Sequence, residues 1–170
     1  MTTPLCERLG LAVPVIQAPI GSATTPELAV ADAGGLGMLA LTWHSPDTAA
    51  ARERDTQRLT DRPFGVNLVL DFPIDEVLAA CLDQGVSVVS TFWGDPGSVV
   101  DRVHAAGALH LHTVGSAEEA VRAVDAGADV IVAQGWLGTR FLVAVEAATH
   151  ATYRARVIDA ASQHTVHTRC

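Results

Sequence analysis

The sequence lacks the features that mark exported, metal-binding and nucleic-acid-binding proteins. Its three cysteines, Cys6, Cys81 and Cys170, are scattered, with neither the spacing of a disulfide framework nor that of a zinc site. The 11 Lys and Arg residues are outnumbered by 19 Asp and Glu, which leaves no basic stripe to neutralise nucleic-acid phosphates. These shortages predict a reducing, cytoplasmic location, no metal and no nucleic-acid partner.

Membrane and export signals are missing as well. No apolar run approaches the roughly 18 residues of a membrane span, and the first residues, MTTPLCERL, have no basic region followed by an apolar core. We therefore expect a soluble protein with no membrane partner. The 170 residues, 49% of them hydrophobic, predict one domain.

A strand-helix alternation runs through the sequence. Short β-branched runs at 13–17, 65–70, 86–90 and 129–133 alternate with Ala-rich stretches of helical character. Because the runs show little polar alternation, they predict strands buried on both faces of a parallel sheet. About six strand-helix units can be counted, which favours a (β/α)-barrel over an open sheet.

Capping residues mark where the helices begin and end. Thr25, Ser45 and Asp95 each precede a proline, and Ser116 with Glu119 forms a capping-box pattern. Glycine follows each of four helical runs, at positions 34, 85, 107 and 127, as expected where the last turn needs a positive φ.

Five ordered motifs together resemble the nitronate monooxygenase family, also called 2-nitropropane dioxygenases. They are VPVIQAPI at 13–20 with AGGLG at 33–37, FGVN at 64–67, HTVGS at 112–116, GADVIVAQG at 127–135 and LGTRF at 137–141. The family consists of FMN-dependent TIM barrels. The resemblance implies an α/β fold, an incomplete TIM-type barrel of about six βα units plus a remnant of the last, forming one domain over residues 1–170.

The resemblance also implies the cofactor-binding residues. FMN contacts are expected at Ala18, Pro19, Ile20, Gly21, Asn67, Gln134, Gly135, Gly138 and Thr139. The C-terminal ends of barrel strands converge on one face, which would bring these positions together. The amides of Asn67 and Gln134 suit the mixed donor-acceptor edge of a flavin, although such an amide could equally fix a loop. Gly138 and Thr139 resemble the family's phosphate contact.

A junction at 135–137 departs from the family pattern. Gly135 is normally followed by a glycine-rich loop that carries the family's catalytic histidine, but here Trp136 and Leu137 lead directly into the phosphate motif. The interpretation is an internal deletion of about one and a half βα units, so no catalytic residue can be assigned. The family continues past residue 170, so the chain is expected to be shortened at its end as well.

Two histidines remain as candidates for the site. His110 and His112 alternate along one strand and therefore share a face. A third ligand at workable spacing is missing, so no metal site is predicted. The default for both is a structural role, and His112, nearer the strand's C-terminal end, is the candidate base.

The resemblance implies oxidative denitrification of alkyl nitronates with O₂, with a small nitronate or nitroalkane as substrate. Loss of the histidine loop predicts impaired activity and weakened FMN binding. Two alternatives stay open: a non-catalytic barrel remnant that self-associates, or another flavin barrel such as an enoyl-reductase-like enzyme. Strand edges exposed by the deletion favour a homo-oligomer.

Overall fold

The computed structural model describes residues 3–30, 34–133, 148, 150–152 and 155, and every structural statement below concerns these residues. Helices and strands alternate along them. The helices are α1 (Pro4–Leu9), α2 (Pro26–Ala29), α3 (Pro46–Leu59), α4 (Asp75–Asp83), α5 (Gly97–Ala105) and α6 (Ala117–Asp125), with a 3₁₀ turn at Gly21–Ala23. The strands are β1 (Gly37–Ala40), β2 (Phe64–Val69), β3 (Val88–Phe92), β4 (Leu109–Val114) and β5 (Val130–Ala133).

The five strands form one parallel sheet in the sequential order β1-β2-β3-β4-β5. Each strand therefore pairs with the next one along the chain, through a connection that contains a helix. A barrel wall has this order, whereas the strand order of a doubly wound sheet reverses at a switch point. The sheet thus has the topology expected for part of a (β/α)-barrel.

The strand predicted at 13–17 is much shorter in the structure. It is reduced to one parallel bridge between Ile16 and Leu36, immediately before β1. Pro14 has no backbone N–H and cannot extend a hydrogen-bonded ladder toward the start of this run. The bridge nevertheless places the segment beside β1 with the same direction.

Three of the four predicted helix starts have the expected cap. The side chains of Thr25, Ser45 and Ser116 accept hydrogen bonds from the backbone N–H three residues later, at 3.2, 3.3 and 3.2 Å. The prediction for Asp95 was wrong in register, since α5 begins at Gly97 and Pro96 occupies the cap. Asp95 instead accepts a hydrogen bond from the N–H of Gly97 at 3.0 Å.

The other half of the capping box is displaced by one residue. The Glu119 carboxylate accepts from the N–H of Gly115 at 2.6 Å, before the cap residue itself. The four predicted helix-ending glycines, 34, 85, 107 and 127, all have positive φ, between 77° and 93°.

The two faces of the sheet bury different clusters. One face packs against the helices, where Leu39, Val66 and Val89 meet Leu78 and Cys81 of α4. The opposite face carries Met38, Val88 and Leu111, which pack against Cys6 and Leu9 of α1. We call these the helix-side face and the inner face.

The inner face is packed closely enough to restrict residue size. A Cβ added at Gly65 would lie 2.6 Å from the sulfur of Met38 and 3.2 Å from Cβ of Val88. Both distances are shorter than ordinary van der Waals contact. A glycine is therefore needed where β2 passes these two side chains.

β5, at one end of the sheet, is less buried than the other four strands. Its only strand partner among the described residues is β4, and Val130, Ile131 and Val132 are only partly buried. No helix in the described part of the chain is both long and apolar enough to cross a lipid bilayer.

Candidate functional site

The predicted cofactor segment 18–21 lies at the C-terminal edge of the sheet. Because the Ile16–Leu36 bridge is parallel, the chain after Ile16 runs in the direction of β1 and reaches the edge where the strands end. Ala18, Pro19 and Ile20 are partly buried there. The N–H of Ile20 donates to Oγ1 of Thr24 at 3.3 Å, and its carbonyl accepts from the N–H of Ala23 at 3.0 Å.

Gly21 makes the turn that ends this segment. Its φ of 51° lies in the left-handed region that favours glycine. A Cβ placed there would lie 3.9 Å from Cζ3 of Trp43 in the loop after β1. The segment is therefore held by local hydrogen bonds and flanked by an aromatic ring.

Asn67 occupies the inner face near the end of β2. It is 6% exposed and pairs in register with Ala40 of β1 and Ser90 of β3. Phe64, Val66 and Leu68 belong to the helix-side cluster, so alternation along the strand directs Asn67 to the other face. The structure thus brings Asn67 and segment 18–21 to the same edge of the sheet.

The amide nitrogen of Asn67 is hydrogen-bonded to Ser90. Its Nδ2 donates to the backbone carbonyl and to Oγ of Ser90, both at 3.3 Å. Among the described residues nothing donates to its Oδ1. The side chain therefore ties β2 to β3 through its amide nitrogen.

Ser90 lies beside the candidate residue Asn67 and was not predicted from the sequence. It is 6% exposed and presents its hydroxyl on the inner face beside Asn67. The run VSVVST at 86–91 contains three hydroxyl residues, and the sequence alone does not distinguish Ser90 from the other two. Its pairing with Asn67, 23 positions earlier, depends on the strand register.

His110 and His112 share a face, as predicted, but it is the helix-side face. Both bind the hydroxyl of Thr91 on β3, through His110 Nε2 at 2.8 Å and His112 Nδ1 at 2.7 Å. Ser90 lies on the inner face, so its neighbour Thr91 lies on the opposite, helix-side face. Leu109 and Leu111 belong to the inner cluster, so His110 and His112, which alternate with them, also lie on the helix-side face. His112 is therefore separated from Asn67 by the sheet itself, and the structure does not bring the two together.

Burial favours the neutral form of both imidazoles. It lowers the pKa of His110 to about 4, with His112 lowering it further and Asp129 opposing the shift. Burial also lowers the pKa of His112, against the opposing charges of Glu119 and Asp95. Because Thr91 has one hydroxyl hydrogen, it can donate to only one of the two rings, and at least one ring nitrogen donates to its oxygen. His112 still borders a cavity of about 470 Å³ between the loop after β3 and α6.

Asp129 holds the start of β5 against α1, β4 and α5. It accepts hydrogen bonds from the N–H of His110 and from Nε2 of His104, both at 2.8 Å, and lies 3.2 Å from Arg8. Burial alone would raise its pKa, but these hydrogen bonds and charges lower it overall. The contacts are structural and lie away from Asn67.

The remaining predicted positions lie outside the described residues. These are Gln134, Gly135, Gly138 and Thr139, together with the junction at 135–137. Within the described part of the chain, no group of three or more His, Cys, Asp or Glu side chains could hold a metal ion. The described half of the candidate site therefore consists of segment 18–21, Asn67 and Ser90.

This sheet topology, with an inner face closed at one end by α1, defines an incomplete TIM-type (β/α)-barrel. Two solved structures have the same fold. FabK from Thermotoga maritima superposes with a TM-score of 0.91 at 25% identity, covering 98% of this chain and 70% of that one. Nitroalkane oxidase from Streptomyces ansochromogenes superposes with a TM-score of 0.72 at 33% identity, covering 78% and 48%.

The chain belongs to the nitronate monooxygenase family. The model of that family, described as nitronate monooxygenase, matches residues 2–76 and 72–137, which is more than half of the chain. This match confirms the family that the sequence motifs indicated.

Curated relatives include members with different names. A nitronate monooxygenase of Pseudomonas aeruginosa is 31% identical over 177 residues, covering 79% of this chain and 50% of that protein. The (3aS,4S,5R,7aS)-5-hydroxy-7a-methyl-1-oxo-octahydro-1H-indene-4-carboxyl-CoA dehydrogenase of Mycobacterium tuberculosis is 33% identical over 141 residues, covering 81% and 40%. The chain thus spans about half or less of the length of these relatives.

Proposed function

We propose that this chain is an FMN-dependent oxidoreductase of the nitronate monooxygenase family, with impaired oxidation of alkyl nitronates by O₂. The observation that supports the proposal is that segment 18–21 and Asn67 lie at the same C-terminal edge of the sheet, in a chain of this family. This edge is where barrel enzymes place their active sites.

The described residues fit one edge of a flavin. Oδ1 of Asn67 is an acceptor for a ring N–H, and Ser90 fixes the orientation of the amide. Segment 18–21 offers backbone groups beside it, and the positive φ of Gly21 lets the chain turn away without a side chain. When bound, FMN would supply the electron transfer, while these residues would bind and orient it.

The impairment follows from sequence that the family has and this chain lacks. The alignment with the Pseudomonas aeruginosa relative runs over 177 residues, more than the 170 of this chain, yet it covers only 79% of the chain. The relative therefore contains residues with no counterpart here, which supports the interpretation of an internal deletion. An anionic nitronate needs no proton removed, so loss of the histidine loop reduces turnover of neutral nitroalkanes most.

The test is flavin retention together with oxygen consumption. Protein reconstituted with FMN should lose most of its flavin on gel filtration and consume O₂ slowly with ethyl nitronate, and more slowly still with nitroethane. Tight retention of flavin with fast turnover of both would overturn the impairment. Flavin-dependent oxygen uptake that is no greater than that of free FMN would overturn the catalytic function.

The partly covered β5 favours a second candidate, a non-catalytic barrel remnant that self-associates. Val130, Ile131 and Val132 lie on a strand with one described neighbour, and such edges promote association. Light scattering distinguishes the candidates, because a remnant would assemble without any response to FMN. An assembly that changes with FMN would instead support the flavoprotein.

A further inference from the structure

Three aromatic side chains stand exposed at the same edge of the sheet as the candidate site. Trp43, Phe72 and Trp93 are 61%, 40% and 52% exposed. They lie in the loops that follow β1, β2 and β3, which are neighbours in the sheet. Among the described residues no other Phe, Trp or Tyr side chain is exposed, and these three residue types make up only 5% of the sequence.

Two of these rings form a contiguous surface beside the cofactor segment. Trp43 and Phe72 meet edge to face, with ring centroids 5.7 Å apart and an interplanar angle of 77°. Trp43 also borders Gly21, since a Cβ at that glycine would lie 3.9 Å from its ring. The apolar surface is therefore continuous with segment 18–21.

Leaving large aromatic surface in water is unfavourable, and contiguous exposed apolar surface commonly marks a binding site. At the same edge of the sheet, near the ends of β2 and β3, the inner face offers the amide of Asn67 and the hydroxyl of Ser90 as polar groups. A ligand reaching from these groups to Trp43 would have a polar end and an apolar end.

We propose that Trp43 and Phe72 form a hydrophobic subsite for the apolar ring of a substrate whose nitronate group lies at the flavin. This inference rests on the proposed function and assigns its substrate class, a ring-bearing nitronate in preference to a short alkyl one. We call the two residues the aromatic subsite.

Calorimetric titration of the FMN-loaded protein with two probes tests the assignment. The probes are phenylnitromethane nitronate and ethyl nitronate, under anaerobic conditions that prevent turnover. The wild-type chain should bind the phenyl probe roughly tenfold more tightly, from burial and edge-to-face contact of the ring. Equal binding of the two probes would overturn the proposal.

Substitutions test which residues cause the preference for the phenyl probe. Trp43→Ala should remove most of it, whereas Trp43→Phe, which keeps a ring, should retain part. The matched control is Leu59→Ala, because Leu59 is 51% exposed at the far end of α3. A preference that survives both Trp43→Ala and Phe72→Ala, or that Leu59→Ala also abolishes, would contradict the subsite.

Repeating the titrations without FMN separates this inference from the proposed function. Failure of the chain to bind FMN would sink the flavoprotein proposal, while a phenyl preference in the flavin-free protein would still support the aromatic subsite. If Trp43→Ala weakens FMN binding and leaves the ratio of the two probes unchanged, Trp43 supports the flavin and the subsite is wrong.

Discussion

The buried carboxyl group of Glu53 should make the stability of this protein depend on pH near neutrality. Glu53 lies on α3 and is 0% exposed, and both of its carboxyl oxygens are buried. Burial raises its pKa from 4.5 to about 7, and the nearby Cys81 thiol on α4 opposes the shift. The group is therefore protonated in the folded protein at pH 5 and ionised at pH 8.

The direction and size of this pH effect on stability follow from the difference in proton binding between the folded and unfolded states. In the unfolded chain the carboxyl loses its proton near pH 4.5, so between pH 4.5 and about 7 the folded state binds more protons. Stability therefore falls as pH rises through this window. At about 1.36 kcal/mol per pKa unit, the loss between pH 5 and pH 8 is about 2–3 kcal/mol.

Urea denaturation of the wild type and Glu53→Gln at pH 5 and pH 8 measures this effect. The glutamine side chain keeps the volume and cannot ionise, so the free energy of unfolding of the variant relative to wild type should rise by about 2–3 kcal/mol from pH 5 to pH 8. Glu76→Gln on α4 is the matched control, since Glu76 is exposed, and its effect should be the same at both pH values. A Glu53→Gln effect that does not change with pH would refute the buried, protonated carboxyl.

Three further outcomes are expected from the packing of the sheet. Gly65→Ala should cost about 1–3 kcal/mol of stability in chemical denaturation, because the added Cβ overpacks the inner face. Met38→Ala should relieve part of that cost in the double mutant. Full stability of the single mutant would contradict the close contact. Thr91→Val should lower the free energy of unfolding by about 1–3 kcal/mol, because His110 and His112 lose their shared hydroxyl. Thr91→Ser keeps the hydroxyl and should lower it less. Equal losses in the two variants would mean that the hydroxyl contributes little. Because burial lowers the folded pKa of His110 to about 4, protonation of the unfolded chain should reduce stability as pH falls from 6.5 toward 4, and replacing His110 by glutamine should flatten that acid limb of a pH-stability curve.

The features that could be predicted from the sequence are those set by local chemistry. The β-branched runs predicted β2, β3 and β5 within two residues, and Thr25, Ser45 and Ser116 cap their helices because an N-cap needs only a side-chain oxygen and an N–H three residues away. The parallel sheet followed from runs apolar on both faces.

The features that could not be predicted depend on long-range packing. Alternation placed His110 and His112 on one face, but which face is buried under helices is decided by contacts of Val89 with α4 and of Leu111 with α1. The pairing of Asn67 with Ser90 depends on register across two strands. Glu53 stands between two arginines in the sequence, and only the packing of α3 shows that it is buried.

Thermal melting during an FMN titration tests the central claim most directly, that segment 18–21 and Asn67 belong to a flavin site. A ligand that binds only the folded state raises its melting temperature with concentration. We predict such a rise for the wild type, reached only at high FMN concentration, and a smaller rise for Asn67→Ala at the same concentrations. A melting temperature that is unchanged at saturating FMN, or a rise that Asn67→Ala leaves intact, would contradict the claim.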